Sequence, residues 1–343
     1  MTEASVANGG EPRIVGAVAE LVSLVMPVWR PRPEWLRESV RSALDQRGCA
    51  VELIVVDDGS PEPVSALLEG VADERLRIIR IDHQGTSAAR NAGIAESRGD
   101  WLRFVDYDDV LPPESTAHLL ALAGTPAVIP YGATEICDEE LEPRSKMRVD
   151  MQGMVVRECL LDRFDVTLPA LLFPRWVVER VGDWETSIVV CQDWDFILRA
   201  LEHAPVRGDD TTVLLYRKHR GGASAGALGS AESLRLAEEG MRRVMDRYFE
   251  RHPEKRGTEL ERRARARVEL VMARAHRETY LAYLGHALRG DTAGVVRELL
   301  VFARLVARRS LRQLAWRARR SSPSAGTVAS SSDTDARIES PGS

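Results

Sequence analysis

Four apolar runs in the first third of the chain alternate with segments whose apolar residues recur at helical spacing. The runs lie at 20–29, 51–60, 76–82 and 99–106, and the first is rich in β-branched residues. Continuous apolar runs of this length are typical of strands buried on both faces of a parallel sheet. The segments between them predict helices at 34–46, 63–72 and 87–98. This alternation predicts βαβ units and an α/β fold, with a mostly parallel sheet flanked by helices.

Beyond Pro113 the periodicity weakens, although strand-like runs recur at 126–136 and 211–219 and a helical pattern covers 190–204. Residues 143–175 match no single pattern. A Gly/Ala/Ser-rich stretch at 220–231 has the composition of a loop that can fold over a ligand. The polar ends of the chain have no apolar periodicity, and we expect them to be disordered. The expected organisation is a leader, a globular domain, a helical C-terminal region and a tail, at 1–19, 20–225, 226–320 and 321–343.

Acidic side chains follow two of the predicted strands at the point where each strand ends. Asp57 and Asp58 close the second run, and Asp106, Asp108 and Asp109 follow the fourth. Ligands of open α/β sheets bind at the carboxyl ends of the strands, so we expect all five carboxylates at one edge. The alternative is that Asp-Asp-Gly-Ser is only a turn and helix cap, because these residue types favour both.

The three carboxylates at 106–109 predict a bound cation. Like charges this close raise one another's pKa unless a positive charge lies among them. Oxygen ligands suit Mg²⁺ or Mn²⁺, which keep several waters and share themselves with substrate phosphates. The Asp-x-Asp pair of Asp106 and Asp108 therefore predicts a metal ion that binds a diphosphate.

Six motifs, in order along 21–224, resemble those of glycosyltransferase family 2. They are "VSLVMPVWRP", "ELIVVDDGS", "QGTSAARNAGI", "WLRFVDYDDVLPPE", "CQDWDFILRA" and "YRKHRGGASA". The resemblance implies the Rossmann-like GT-A fold and a nucleotide-diphospho-sugar donor. It also implies a transfer assisted by Mn²⁺ or Mg²⁺, with inversion at the anomeric carbon.

The same resemblance implies roles for individual residues. The expected nucleotide-binding residues are Pro27, Asp57, Asp58, Arg90 and Asp106, and the expected metal ligands are Asp106, Asp108 and His219. Asp193 is the expected general base, which takes the proton of the acceptor hydroxyl. Trp194 beside it is the expected contact for the sugar or the acceptor.

Three of these roles have a structural alternative. Asp193 opens a predicted helix and can be a capping acid. His219 follows a strand and can be a polar surface group, and Trp194 can be a core residue, as most tryptophans are. Trp101 and Trp184 are further candidates for a stacking face, with the same alternative.

Departures from the family pattern narrow the expected activity. Gln192 stands where the family usually has Glu before the Asp that acts as general base. Gly182-Asp183-Trp184 replaces the usual Gly-Gly-Phe. The Gln-x-x-Arg-Trp signature of processive synthases is missing from the corresponding region. We therefore expect the addition of one sugar rather than polymer synthesis.

The charge of the chain is unevenly distributed. The net charge is −5, but residues 230–320 carry 22 Lys and Arg against 12 Asp and Glu, a balance of +10. Within 295–320, Arg304, Arg308 and Arg312 recur at i, i+4 spacing beside apolar residues. Such a helix can lie on an anionic membrane surface, pack on the acidic domain or form a homodimer contact. No recognised nucleic-acid-binding motif accompanies the basic segment, so we expect no nucleic-acid partner.

Cysteine usage and hydropathy favour a cytoplasmic protein. The four cysteines are widely spaced, which predicts reduced thiols rather than disulfides or a zinc site. The N-terminus lacks a signal-peptide pattern, and no run reaches the roughly 18 apolar residues of a membrane span. Peripheral contact with the inner membrane face remains open through the C-terminal helices.

Two other function classes fit parts of the pattern. A nucleotidyltransferase also uses acidic metal ligands on a Rossmann-like sheet, but it usually has a basic Gly-rich loop near its first strand, and this chain has none. A catalytically degenerate transferase fold that only binds nucleotide or sugar is the alternative outside enzymes. The acceptor class stays open among a glycan, a lipid carrier, a peptide and a small molecule.

Overall fold

The four N-terminal apolar runs are strands of one sheet, which confirms the predicted α/β class. The structure, a computed structural model, describes residues 20–161, 163–219 and 231–275, together with residue 296. Strands β1 to β8 are Leu21–Val28, Ala50–Asp58, Leu76–Ile81, Trp101–Phe104, Ile129–Cys137, Pro143–Met147, Phe173–Pro174 and Val206–Arg217. The first sheet has the order β3-β2-β1-β4-β7, in which β1 to β4 are parallel and β7 is antiparallel to β4.

Helices lie on both faces of this sheet, which explains why the inner strands β1 and β2 are largely apolar and buried, whereas the edge strand β3 is only partly buried. Helices α1 to α9 are Pro33–Leu44, Val64–Leu67, Thr86–Glu96, Ser115–Ala123, Val156–Leu160, Arg175–Val181, Gln192–Leu201, Ala231–Arg251 and Glu259–Ala275. On one face, Leu36 of α1 shares a core with Leu24 of β1. On the other, Ala89 of α3 packs against Ile54 and Val56 of β2. Burial on two faces is characteristic of parallel sheets.

Helix α2 is shorter than the predicted 63–72. It ends at Leu67, and Gly70 then adopts a φ of 87°, a left-handed conformation that ends helical continuation. Short 3₁₀ turns lie at Leu168–Ala170 and Pro253–Lys255.

A second, three-stranded sheet brings the end of β8 to the acidic edge of the first. Its order is β6-β5-β8, with β5 and β8 parallel and β5 and β6 antiparallel. An antiparallel bridge joins Val110, just after the acidic cluster, to Leu215 of β8. Residues 143–175, which the sequence left unassigned, supply β6, α5 and β7.

The predicted helical C-terminal region contains α8 and α9. Val244 and Tyr248 of α8 are buried in the same core as Trp184 and Phe196. Within the described ranges, no helix combines the length and apolarity needed to cross a membrane. The leader at 1–19, the loop at 220–230, the basic helix predicted at 295–320 apart from residue 296, and the tail at 321–343 lie outside the described residues.

Arg103 of β4 is a fully buried arginine that joins the two sheets. Its Nε donates to the Pro169 carbonyl at 2.9 Å, and its Nη2 donates to the Val213 carbonyl at 2.7 Å. Its Nη1 donates to the hydroxyls of Ser115 and Thr116, at 3.0 and 2.9 Å. Burial lowers the pKa of this guanidinium to about 9.

Arg103→Met is expected to lower the free energy of unfolding by about 2–4 kcal/mol, because buried carbonyls lose their donor. Urea denaturation of the full chain measures this change. Arg207, whose Nη1 donates to two carbonyls at an exposed position, provides the control. Arg207→Met should cost no more than about 0.5 kcal/mol, and equal losses in both variants would contradict the role assigned to Arg103.

Candidate functional site

The acidic residues predicted to share one edge of the sheet do lie at the carboxyl ends of its strands. In the β1–β2 register Val28 pairs with Asp57, the residue before the end of β2. Asp106, Asp108 and Asp109 follow β4, the other neighbour of β1. This edge therefore collects the two acidic clusters, as expected for a parallel sheet.

Asp57 has the turn-and-cap role that the sequence offered as an alternative. It is 1% exposed, and its carboxylate accepts hydrogen bonds from the backbone of Ser60 at 2.8 Å and Val64 at 3.1 Å. Arg80 of β3 forms an ion pair with the same carboxylate. These bonds hold the turn after β2 and start α2, and the nucleotide contact of Asp57 stays a prediction.

Asp58 holds the loop that precedes α3. Its carboxylate accepts hydrogen bonds from the backbone of Gln84 at 2.8 Å and Gly85 at 2.9 Å, and it lies 2.9 Å from His83 Nδ1. The His83 ring stacks on Trp29, with centroids 4.6 Å apart and planes 15° from parallel. Asp58 thus links β2 to an aromatic pair at the sheet edge.

Trp29 and His83 were missed by the sequence analysis. Pro27 is buried within β1, whereas Trp29, two residues later, is 41% exposed at the strand end. The available signal was a tryptophan directly after a predicted strand, because ligands of open α/β sheets bind at the carboxyl ends of the strands. The role of Pro27 in nucleotide binding stays a prediction.

Arg90 is a buried cation at this edge. It is 4% exposed, its Nη2 donates to Asp106 Oδ1 at 3.3 Å, and its Cζ lies 4.5 Å from the Trp184 ring centroid. Its Nε and Nη1 are buried without a hydrogen-bond partner. Unpaired buried donors are costly and rare in native proteins. These two N–H groups therefore favour a site that an anionic ligand completes.

The carboxylates around Asp106 share one electrostatic environment. Burial raises the pKa of Asp106, and Arg90 opposes this increase. The charges of Asp108 and Asp193 raise the same pKa further. The structure thus brings Asp193 of α7 near the acidic cluster of β4, although the two lie far apart in sequence.

His219 contacts Asp108 and is not the surface group considered as an alternative. It is 8% exposed, and its Nε2 lies 2.8 Å from Asp108 Oδ2, a contact between residues 111 positions apart. The ring lies against Trp35, with centroids 4.6 Å apart. His219 Nδ1 is buried and has no hydrogen-bond partner.

Arg217, two residues before His219, joins the end of β8 to the acidic loop. Its backbone N–H donates to Asp109 Oδ1 at 2.9 Å, and its Nε donates to the Asp108 carbonyl at 2.9 Å. Its remaining nitrogens bind the Glu139 carbonyl and the Glu38 carboxylate. The bonds to Asp109 and Asp108 tie the end of β8 to the acidic loop. Every side-chain nitrogen of Arg217 is occupied in these contacts.

Asp109 is a structural member of the acidic cluster. It is 3% exposed, and burial, with the charges of Asp106 and Asp108, holds its pKa well above the ordinary value. Its backbone partner Arg217 lowers that pKa again. Asp109 thus anchors the loop through its hydrogen bond from the Arg217 backbone.

The donor set at Asp108 and His219 fits a divalent cation. Adjacent ligands of an octahedral ion at about 2.1 Å are about 3.0 Å apart, close to the 2.8 Å between Oδ2 and Nε2. Asp106, the third predicted ligand, turns to Arg90 instead. Within the described residues no group of three His, Cys, Asp or Glu side chains is arranged to hold a metal. A cation here would thus need oxygen ligands from a substrate.

Asp193 lies in the first turn of α7 with its side chain exposed. Its Oδ1 accepts a hydrogen bond from the backbone of Trp194 at 2.8 Å. The positive end of the helix dipole favours the charged carboxylate there. Trp194 is half-buried and packs against the main core, so part of its ring remains accessible. Their roles as base and acceptor contact stay predictions.

Trp101 and Trp184 are core residues, as the alternative held. Both are 1% exposed, and Trp184 stacks on Phe196 with centroids 4.1 Å apart. The side-chain amide of Asn91 accepts a hydrogen bond from the backbone N–H of Trp184 at 2.8 Å and donates one to the backbone carbonyl of Trp184 at 3.1 Å. Asn91 was also missed by the sequence analysis, and it connects α3 to the loop before α7.

Comparison with known proteins finds a family model that matches part of the chain. Residues 23–170 match the model described as Glycosyl transferase family 2. A relative from Rickettsia felis, an uncharacterized glycosyltransferase, is 26% identical over 211 residues, which cover 58% of this chain and 34% of that protein. The succinoglycan biosynthesis protein ExoO of Rhizobium meliloti is 40% identical over 86 residues, 25% of each chain. This chain thus spans about a third or less of the length of these two relatives.

Among solved structures, S. aureus TarS 1–349 in complex with UDP is similar to this chain, with a TM-score of 0.48. It is 13% identical, and the match covers 82% of this chain and 91% of that one.

Proposed function

Since residues 23–170 of this chain belong to glycosyl transferase family 2, we propose that the protein is a non-processive glycosyltransferase. It transfers one sugar from a nucleotide-diphospho-sugar to an acceptor hydroxyl, with inversion at the anomeric carbon. The reaction depends on Mn²⁺ or Mg²⁺.

The contact between Asp108 and His219 is the observation that carries this proposal. Packing joins the loop after β4 to the end of β8, across 111 residues, and leaves His219 Nδ1 buried without a partner. Nearby, Arg90 has two buried N–H groups without an acceptor. A carboxylate–imidazole pair beside a buried guanidinium suits a cation and the diphosphate oxygens bound to it.

In the proposed site, the residues of the sheet edge bind the donor. Trp29 and His83 offer an aromatic surface to the base, next to Asp58. Arg90 donates its free N–H groups to diphosphate oxygens, which are strong acceptors for a guanidinium. Asp108 and His219 would hold the cation, which would stabilise the negative charge of the departing diphosphate.

Asp193 takes the proton of the attacking hydroxyl on the acceptor side. A single base suffices, because the nucleotide diphosphate leaves as an anion and needs no proton. Its exposure at the start of α7 gives an acceptor access to the carboxylate. Trp194 provides an apolar face beside it.

A thermal-shift panel tests the donor site. UDP, dTDP, GDP and ADP are each added with and without Mn²⁺ to the wild type and to Asp108→Asn. One diphosphate should raise the melting temperature only with Mn²⁺, and at about 100 times its Kd the stabilisation should be about 2.7 kcal/mol. Asp108→Asn should abolish this shift, because the amide is a weaker ligand for a hard cation.

Asp45→Asn is the control, since Asp45 is an exposed carboxylate that pairs with Arg47. It should retain the full shift. A metal-dependent shift of equal size in Asp108→Asn would show that the cation binds elsewhere. If none of the four nucleotides shifts the melting temperature, the proposal of a donor site is wrong.

A further inference from the structure

Helix α8, which lies beyond the family-matched region, contacts the segment that carries Asp193. Two aspartates stand in the first turn of α7 and differ in burial: Asp193 is exposed, whereas Asp195 is 1% exposed. The buried carboxylate of Asp195 accepts a hydrogen bond from Arg199 Nε at 2.8 Å. A buried carboxylate of this kind needs cationic partners, and its second partner comes from α8.

Arg247 of α8 bridges the two ends of the loop that leads into α7. Its Nε lies 3.4 Å from Asp195 Oδ1, and its Nη1 donates to Glu185 Oε2 at 2.5 Å. Hydrogen bonds from Ser187 lower the pKa of Glu185, and Arg247 lowers it further. One guanidinium therefore joins the start of the loop to the first turn of the helix.

Gly240 brings the backbone of α8 against the same loop. A Cβ at Gly240 would lie 2.1 Å from the Val190 carbonyl oxygen and 3.7 Å from Cys191 Cβ. Only glycine permits this approach. Cys191 has a φ of 69°, and its left-handed conformation turns the chain into α7. Gly240 and Arg247 are two helical turns apart, so they share one face of α8.

We infer that Arg247 is a positioning residue, which holds the 185–191 loop and the first turn of α7 so that Asp193 faces the acceptor. The inference rests on the proposed function, in which Asp193 is the base. A general base must lie within hydrogen-bonding reach of the proton it takes. A displacement of about 1 Å can cost as much as about 100-fold in rate. The C-terminal region is thereby part of the transferase.

Arg251 provides a matched control for Arg247. It lies one turn further along α8 and also contacts α7, but at the other end, where its Nη2 binds Glu202 Oε1 at 2.8 Å. The two arginine side chains are 32% and 31% exposed. Any general effect of removing an α8–α7 ion pair should therefore appear equally in Arg251→Met and Arg247→Met.

The first measurement is turnover of the nucleotide-sugar whose nucleotide the thermal-shift panel selects. Arg247→Met should lower kcat about ten-fold or more, with the donor KM within about two-fold of the wild type. Arg247→Lys should recover part of kcat, because it restores the charge without the two-armed geometry. Arg251→Met should keep both constants near those of the wild type.

The second measurement needs no turnover. Cys191 is half-buried, and burial raises the pKa of its thiol to about 12, so this thiol reacts slowly in the folded loop. Labelling of the full chain with N-ethylmaleimide, followed by mass spectrometry of the Cys191 peptide, reports loop opening. Arg247→Met should be labelled about ten-fold faster than the wild type, and Arg251→Met should not.

Equal kcat losses in Arg247→Met and Arg251→Met, or unchanged kcat with unchanged labelling in Arg247→Met, would overturn the inference. If the wild type turns over no nucleotide-sugar, the proposed function fails, and the labelling comparison alone decides whether Arg247 holds the loop. A faster labelling rate of Cys191 in Arg247→Met alone supports that role. Equal labelling rates in all variants contradict it.

Discussion

Asp193→Asn is expected to lower the turnover of the donor by about 10²–10⁴-fold, the usual contribution of a positioned general base. The amide keeps the shape of the side chain but cannot take a proton at neutral pH. Asp193 lies on α7, whereas Asp58 and Asp108 lie at strand ends and Arg90 lies on α3. Asp193 is not among the residues proposed to hold the diphosphate or the cation, so the thermal shift produced by the nucleotide diphosphate and Mn²⁺ should persist.

Steady-state kinetics with the selected nucleotide-sugar measure the loss of turnover. The thermal-shift assay measures whether nucleotide binding is retained. Asp183→Asn is the control, because Asp183 is an exposed carboxylate in the loop before the same helix. It should keep kcat within about two-fold of the wild type. If Asp193→Asn retains its kcat, Asp193 is a capping acid and the base is another group.

Arg90→Met should weaken binding of the nucleotide diphosphate by about 100-fold or more. The guanidinium has two buried N–H groups without a partner, and each hydrogen bond to a charged group is worth about 1.5–3 kcal/mol. The variant also removes the ion pair with Asp106. Methionine fills a similar volume over Trp184, which limits the loss of packing.

Isothermal titration of the diphosphate with Mn²⁺ measures this affinity. Arg98→Met controls for the loss of a buried carboxylate's partner, since Arg98 pairs with Glu52, which is 2% exposed at the opposite end of β2. That variant should bind nucleotide as the wild type does. Unchanged affinity in Arg90→Met would mean that its free N–H groups do not face the ligand.

The strands and helices of the N-terminal half were predictable because local patterns determine them. Runs buried on two faces are largely apolar, as β1 is, and β1 to β4 lie within a few residues of the predicted bounds. Residues 143–175 escaped prediction for the opposite reason. Their elements are short, such as the two-residue β7, and they form only where β4 and β5 offer partners.

Within the site, the sequence could place the acidic residues at the strand ends. It could not tell which of them have a structural role and which are available to a ligand. Asp57 and Asp108 both follow buried strands in acidic pairs. Asp57 is saturated by the backbone of its own turn and by Arg80, whereas Asp108 faces a histidine from another sheet. Hydrogen-bond saturation depends on the neighbours that packing supplies, so residue type and spacing cannot reveal it.

By itself, the sequence determined the α/β class, the strand ends that carry carboxylates and the resemblance to glycosyl transferase family 2, whose model residues 23–170 match. Each depends on periodicity or on residues close together in the chain. Tertiary structure alone decided that His219 meets Asp108, that Arg90 keeps two unpaired N–H groups, and that Arg247 reaches Asp195. These contacts join residues far apart in the chain, and only the packing of two sheets and α8 brings them within bonding distance.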